Sequence, residues 1–328
     1  MKPSVPVVPA GLFGIVLGVV GLANAWRTAS KLWGLPAGVG EAISFAGVGI
    51  WCTLLILYGA KVMSRRVEAN AEFRHPVLCC FLGLIPLSTA LVGGSTYRYG
   101  GAGSMGLVVI GVLGTVAFAV YRSGALWKGG RDDTATTPVL YLPGVAGNFG
   151  SAIALGGVGH AEWGVPLFGA GLLAWLAIES VLLHRLYLVS ELAVGLRPTM
   201  GIQLAPPAVG CYAYLSVTSG PPDLIVQVLI GYALFQLMIL LRMLPWIREQ
   251  AFAASYWAFS FGIAALTTSL NRFVERGGTG PLAELAPYVF AFANLVIGIL
   301  ALGTVALLLR GKLLPPPLVN LTSTAKPS

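Results

Sequence analysis

The chain has 328 residues, of which 56% are hydrophobic and only 10% charged, with a mean hydropathy of +0.83 and a formal net charge of +8. So few polar side chains cannot cover a water-soluble globule, and the basic residues sit at the ends of apolar runs without a basic fold of their own, which excludes a nucleic-acid-binding domain. What remains is an all-α integral membrane protein.

A helix needs about 20 apolar residues to cross about 30 Å of hydrocarbon. After a short N-terminal tail, 1–10, the first such run is 11–26 and carries FGIVLG. Its end, Ala23-Asn24-Ala25, also fits a signal-peptide cleavage site, but its glycines match a repeat found further along. The run 38–60 is continuous. In 76–94 the motif IPLSTA places Pro86, and 103–122 follows without a break. LPGVAG in 138–158 holds Pro143, with Asn148 close behind, and 163–185 contains Glu179, the one charge deep in a run. APPAVG in 200–218 holds Pro206, 223–244 is continuous, WAFSFGIAAL in 251–270 holds Phe261 and Gly262, and 284–309 is the last run. Residues 312–328 read as a disordered tail, leaving 11–311 as a single membrane domain of ten expected spans.

Every odd-numbered run carries a helix-weakening residue followed by small side chains, at Gly14, Pro86, Pro143, Pro206 and Gly262; the even-numbered runs have no equivalent. The repeating unit is therefore a helical hairpin with a broken first helix. Proline removes a backbone donor, which a membrane tolerates only where protein or a water-filled space accepts the freed carbonyl, so the broken helices should not face lipid. Five hairpins in pseudo-fivefold arrangement follow, with five inner kinked helices lining a pore and five outer ones around them. All five copies run in the same direction, unlike the inverted repeats of many alternating-access carriers.

With ten spans both termini share one side. Arg27, Lys31, Arg98, Arg272 and Arg276 fall on the other side, and the remaining 15 of the 20 basic residues fall with the termini, which the positive-inside rule makes cytoplasmic. Cys52, Cys79, Cys80 and Cys211 all lie in apolar runs and read as small buried side chains; no cofactor or metal is expected. No Asp, Glu, Lys, Arg or His lies within the five odd spans, which argues against a proton relay in the pore and for loose selection by cationic mouths. Glu179 reads either as a proton site or as a group that is neutral or paired with a basic side chain near the cytoplasmic interface; Asn148 either lines the pore or links helices. FGSA at 149–152 lacks the final glycine of an intramembrane serine protease motif, and the histidines lie in loops or, as His184, at the end of a span, where none serves as a base, so no enzyme is expected.

WAFSFG, YLPGVAGNF, GLIPLSTALVGG, and FGAGLLAW with Glu179 together resemble the tellurite-resistance and dicarboxylate transporter family, in which bacterial TehA proteins stand beside the plant guard-cell slow anion channels. The likeness runs through nearly the whole membrane region and fades in the loops and the tail. It implies a homotrimer in the bacterial inner membrane, each subunit with its own pore. It also implies that a phenylalanine of the ninth helix occludes that pore; the matching position is Phe261, and plant members often carry proline where this chain has Gly262. Phe13, at the equivalent level of the first repeat, is a candidate second constriction. Phe259, about 200° around the helix from Phe261, should face neighbouring helices. The expected function is a gated channel for small inorganic anions such as chloride and nitrate, embedded in membrane lipid; the alternative is a proton-linked carrier or exporter of tellurite or dicarboxylates.

Overall fold

The structure is a computed structural model and describes residues 6–314; the expected tail 312–328 therefore lies largely outside the described residues. The described chain is all-helical. Ten α-helices are α1 (Phe13–Trp33), α2 (Ala37–Ser64), α3 (Arg66–Arg74), α4 (Leu84–Leu126), α5 (Gly147–Gly157), α6 (Ala161–Leu188), α7 (Ala205–Val217), α8 (Leu224–Ile247), α9 (Ser260–Glu275) and α10 (Pro281–Leu309). Among the described residues seven helical stretches are long and apolar enough to cross a membrane. The expected spans 200–218 and 251–270, whose α-helical parts α7 and α9 have 13 and 16 residues, are not among them.

α4 combines two expected spans. At Gly101 the backbone turns through φ 46°, which glycine alone adopts without strain, and the 43-residue helix folds back on itself. A methyl placed on Gly111 would stand 2.3 Å from the Ala90 nitrogen, and one on Gly114 would stand 2.9 Å from Pro86 Cβ, so the two halves touch backbone to backbone. Positive-φ glycines also occupy the connections after α1 (Gly34), α5 (Gly159), α7 (Gly220) and α9 (Gly277 and Gly280).

The breaks anticipated in the odd spans are present, but their character differs. A 3-10 stretch leads into α1 (Ala10–Leu12), α4 (Leu78–Gly83), α7 (Val194–Leu204) and α9 (Ala254–Phe259), and a π turn (Leu142–Ala146) leads into α5. Pro206 therefore lies in the first turn of α7, where a missing N–H costs little, rather than in the middle of a kinked span. Pro86 lies likewise in the first turn of α4, and Pro143 within the π turn. Gly14 and Gly262 lie inside regular α-helix just past the change of helix type.

These half-broken elements form the interior. Of the most apolar stretch of Pro138–Gly157, 83% is buried, against 17% in α6 and in α10, whose outward faces carry Leu173, Leu176, Leu295 and Leu302 in the open. Contacts run in a closed cycle from α1 to the first half of α4, to α5, to α7, to α9 and back to α1. Gly18 and Gly21 of α1 admit Ser260 and Ala264 of α9, and Gly156 of α5 lies against the Ser216 carbonyl of α7. The chain is anchored from Val8, which is 1% exposed, so the boundary expected at residue 11 falls inside packed structure.

Candidate functional site

Where the five 3-10 and π segments converge, they enclose a cavity of about 450 Å³. The first segment contributes Gly11 and Leu12, the second Leu78 and Phe81, the third Leu142 and Ala146, the fourth Leu196, Thr199 and Ile202, and the fifth Ala258; Gly14, Leu17, Leu84, Ala205 and Phe261 join them from the helices that follow. α6, α8 and α10 contribute nothing to the wall. Small and apolar side chains follow from the helix type: 3-10 turns are narrow and poorly bonded, and they persist here because their neighbours are pressed around them.

Phe261 sits in the first turn of α9 and is 8% exposed. A methyl on Gly21 would stand 3.6 Å from its Cδ2, so the ring rests beside the bare flank of α1. Gly262 does not face open space: a methyl there would meet Leu204 Cβ and Cγ at 3.1 Å, so the residue lets α9 close onto the fourth segment. Phe259 lays its ring over Gly201. Phe13 is fully buried, edge-on to Tyr58 of α2 with ring centroids 6.2 Å apart, and is absent from the wall; Gly14 and Leu17 stand there instead. Among the five break residues only Gly14 reaches the cavity. Pro86 packs against Gly114, and Pro206 borders a narrow slot behind the wall with Phe149 and Val209.

Charge at the cavity is balanced rather than cationic. Lys61, 2% exposed, donates to Glu72 Oε2 at 2.5 Å and to the Val8 carbonyl at 3.0 Å. The Tyr58 hydroxyl donates to Glu72 at 3.0 Å and the Ala10 N–H at 2.8 Å. Among the described residues Glu68 and Lys312 complete the charged wall residues, two acids against two bases. Arg197, by the fourth segment, is bound by Glu191 and Glu249. Of the basic residues that sequence counting assigns to this end, Lys61 and Arg197 are thus held by carboxylates. Nothing in a single sequence pairs Lys61 with Glu72, since only the turn into α3 brings them together.

Glu179 is held by four neutral donors: Trp175 Nε1 at 2.8 Å, Gln203 Nε2 at 3.2 Å, the Tyr232 hydroxyl at 3.2 Å, and the Tyr141 hydroxyl. Among the described residues no basic side chain pairs with it, and it lies behind the wall, tying α6 and α8 to the third and fourth segments. Asn148 Nδ2 donates to the Gly144 carbonyl at 2.6 Å, within its own segment, so it neither joins two helices nor enters the wall.

A family model described as voltage-dependent anion channel, SLAC1, matches residues 8–305. The chain is 37% identical over 305 residues to the tellurite resistance protein TehA homolog of Haemophilus influenzae, covering 93% of this chain and 92% of that protein. It is 23% identical to the S-type anion channel SLAH2 of Arabidopsis thaliana, covering 97% of this chain and 63% of that one. To an uncharacterized transporter of Methanocaldococcus jannaschii it is 22% identical over 70% of its length.

Proposed function

This chain belongs to the voltage-dependent anion channel family SLAC1, and from that premise we propose that it is a gated channel for small monovalent anions, chloride and nitrate among them, with Phe261 as its gate. The observation that carries the reading is the cavity: all five broken segments contribute to its wall, and Phe261 stands in that wall. In this reading the two halves of α4 count as separate crossings, giving ten spans within residues 11–311 as five hairpins of pseudo-fivefold arrangement. The closed cycle of inner contacts and the exposed apolar faces of the outer helices support it. Three such subunits assemble in a bacterial inner membrane with both termini in the cytoplasm, each with its own conduit, and no catalytic step is involved.

An apolar ring across a narrow apolar tube excludes hydrated ions by size and by dewetting. Movement of one side chain then suffices to open the path. Gly262 sets the position of α9 through its contact with Leu204, and the bare flank of Gly21 leaves the ring a surface to move along.

The second reading, a carrier for tellurite-like oxyanions or dicarboxylates, is favoured by the name of the Haemophilus influenzae relative. Recording from purified protein in planar bilayers separates the two. Discrete current steps that reverse near the chloride equilibrium potential are the expected result. Saturable flux locked to a proton gradient, without unitary steps, contradicts the channel.

A further inference from the structure

We propose that Arg272 forms an anion-binding site in the conduit on the far side of Phe261 from the cavity, and that this residue, rather than the balanced charges at the cavity, selects anions. The inference rests on the channel reading above.

The contacts of α9 fix which way each of its faces points. With about 100° per residue and Ser260 as zero, the side chains that meet α1 lie within about 40° of one another. These are Ser260 and Ala264, against Gly18 and Gly21, and Asn271, whose Nδ2 donates to the Ala25 carbonyl at 3.2 Å. Contacts with the fourth segment and α7 lie on the opposite side, at about 180–200°, where Gly262 meets Leu204 and Ser269 donates to the Ala208 carbonyl. Thr267, bonded to the Val289 carbonyl of α10, marks the outward side. The remaining arc faces the axis of the inner cycle. Phe261 lies there at about 100° and Arg272 at about 120°, some 16 Å further along the helix. Because α9 continues to Glu275, beyond the span expected from sequence, this arginine belongs to the inner helix itself.

Arg272 is half-buried and has no acidic partner among the described residues. Nη1 donates to the Leu215 carbonyl at 3.0 Å and to Ser216 Oγ at 3.5 Å, and the guanidinium lies 5.0 Å from the Tyr212 ring centroid. Its Nε is buried with no hydrogen-bond partner. A guanidinium held by neutral oxygens through Nη1 alone, with Nε and Nη2 unspent and no carboxylate to cancel its charge, suits a chloride or nitrate ion passing along the axis. Arg276, one turn on, differs: both of its terminal nitrogens are taken by oxygens of Leu215 and Thr218.

The test is unitary conductance and chloride-over-potassium permeability in about 0.1 M salt, where fields fade over about 10 Å. Arg272→Gln, Arg272→Lys and Arg276→Gln are each made with Phe261 intact and with Phe261→Ala. Expected in the Phe261→Ala background is a severalfold fall in chloride conductance and in anion preference for Arg272→Gln, and a smaller fall for Arg276→Gln. Arg272→Lys should keep the preference for anions while changing the nitrate-to-chloride ratio, a readout that survives if Arg272→Gln does not fold. An unaltered ratio in the lysine variant, equal losses in the two glutamine variants, or no loss at all would overturn the site while leaving the gate intact. If Phe261→Ala itself fails to raise conductance, the gate reading fails, and the register argument for Arg272 falls with it.

Discussion

Lys61 and Glu72 show how one pair of side chains changes the meaning of a charge count. Sequence places Lys61 in the cytoplasmic surplus, yet its ammonium is buried against a carboxylate that also binds Tyr58 and the Ala10 N–H. Removing one partner leaves the other charge buried and alone, which costs about 3–5 kcal/mol, whereas replacing both with apolar groups of similar size is often close to neutral. Lys61→Met should therefore destabilise the protein strongly in detergent unfolding. Lys61→Met with Glu72→Leu should recover most of the loss, and additive losses would show that the pair does not act as a unit. The same scale explains why Phe13 and Phe261, alike in sequence, differ in placement. Phe13 finds Tyr58 behind it, while Phe261 has the bare flank of Gly21 beside it. Which neighbour waits for a ring is a property of the assembled helices, and no local pattern in the chain carries it.

At the scale of elements, the sequence marks the five unusual segments correctly but not what is unusual about them. Proline and glycine were legible as punctuation; that the preceding turns wind as 3-10 or π helix was not, because helix type is set by the surrounding packing. Two substitutions separate the interpretations. Pro206→Ala, in the first turn of α7, should alter stability by less than about 1 kcal/mol, since no mid-helix kink is lost. Gly111→Val should cost more than about 3 kcal/mol or prevent assembly, since its Cβ would stand 2.3 Å from the Ala90 nitrogen and no flexible side chain can yield there. Thermal unfolding in one detergent compares them directly, and a large loss for Pro206→Ala would restore the kink. The turn glycines Gly34, Gly101, Gly159 and Gly220 were a readable signal that composition alone obscured, because 43 glycines are spread through the chain.

For the whole molecule, class and membrane character followed from hydropathy, and the resemblance in four motifs agrees with family membership across residues 8–305. The cavity was legible only as an expectation, because its wall draws on residues as far apart as Pro9 and Leu313, which are joined only by the closed cycle of helices. The wall of the cavity itself carries as many acids as bases, which leaves Arg272, on the same face of α9 as the proposed gate, as the proposed selecting residue. The account stands or falls on whether the inner helices surround a path that one aromatic ring closes. Unitary chloride current through Phe261→Ala in planar bilayers, set against the unmutated chain under the same gradient, tests this most directly. The account predicts larger and more frequently open steps that still reverse near the chloride potential, and currents indistinguishable from the unmutated protein would contradict it.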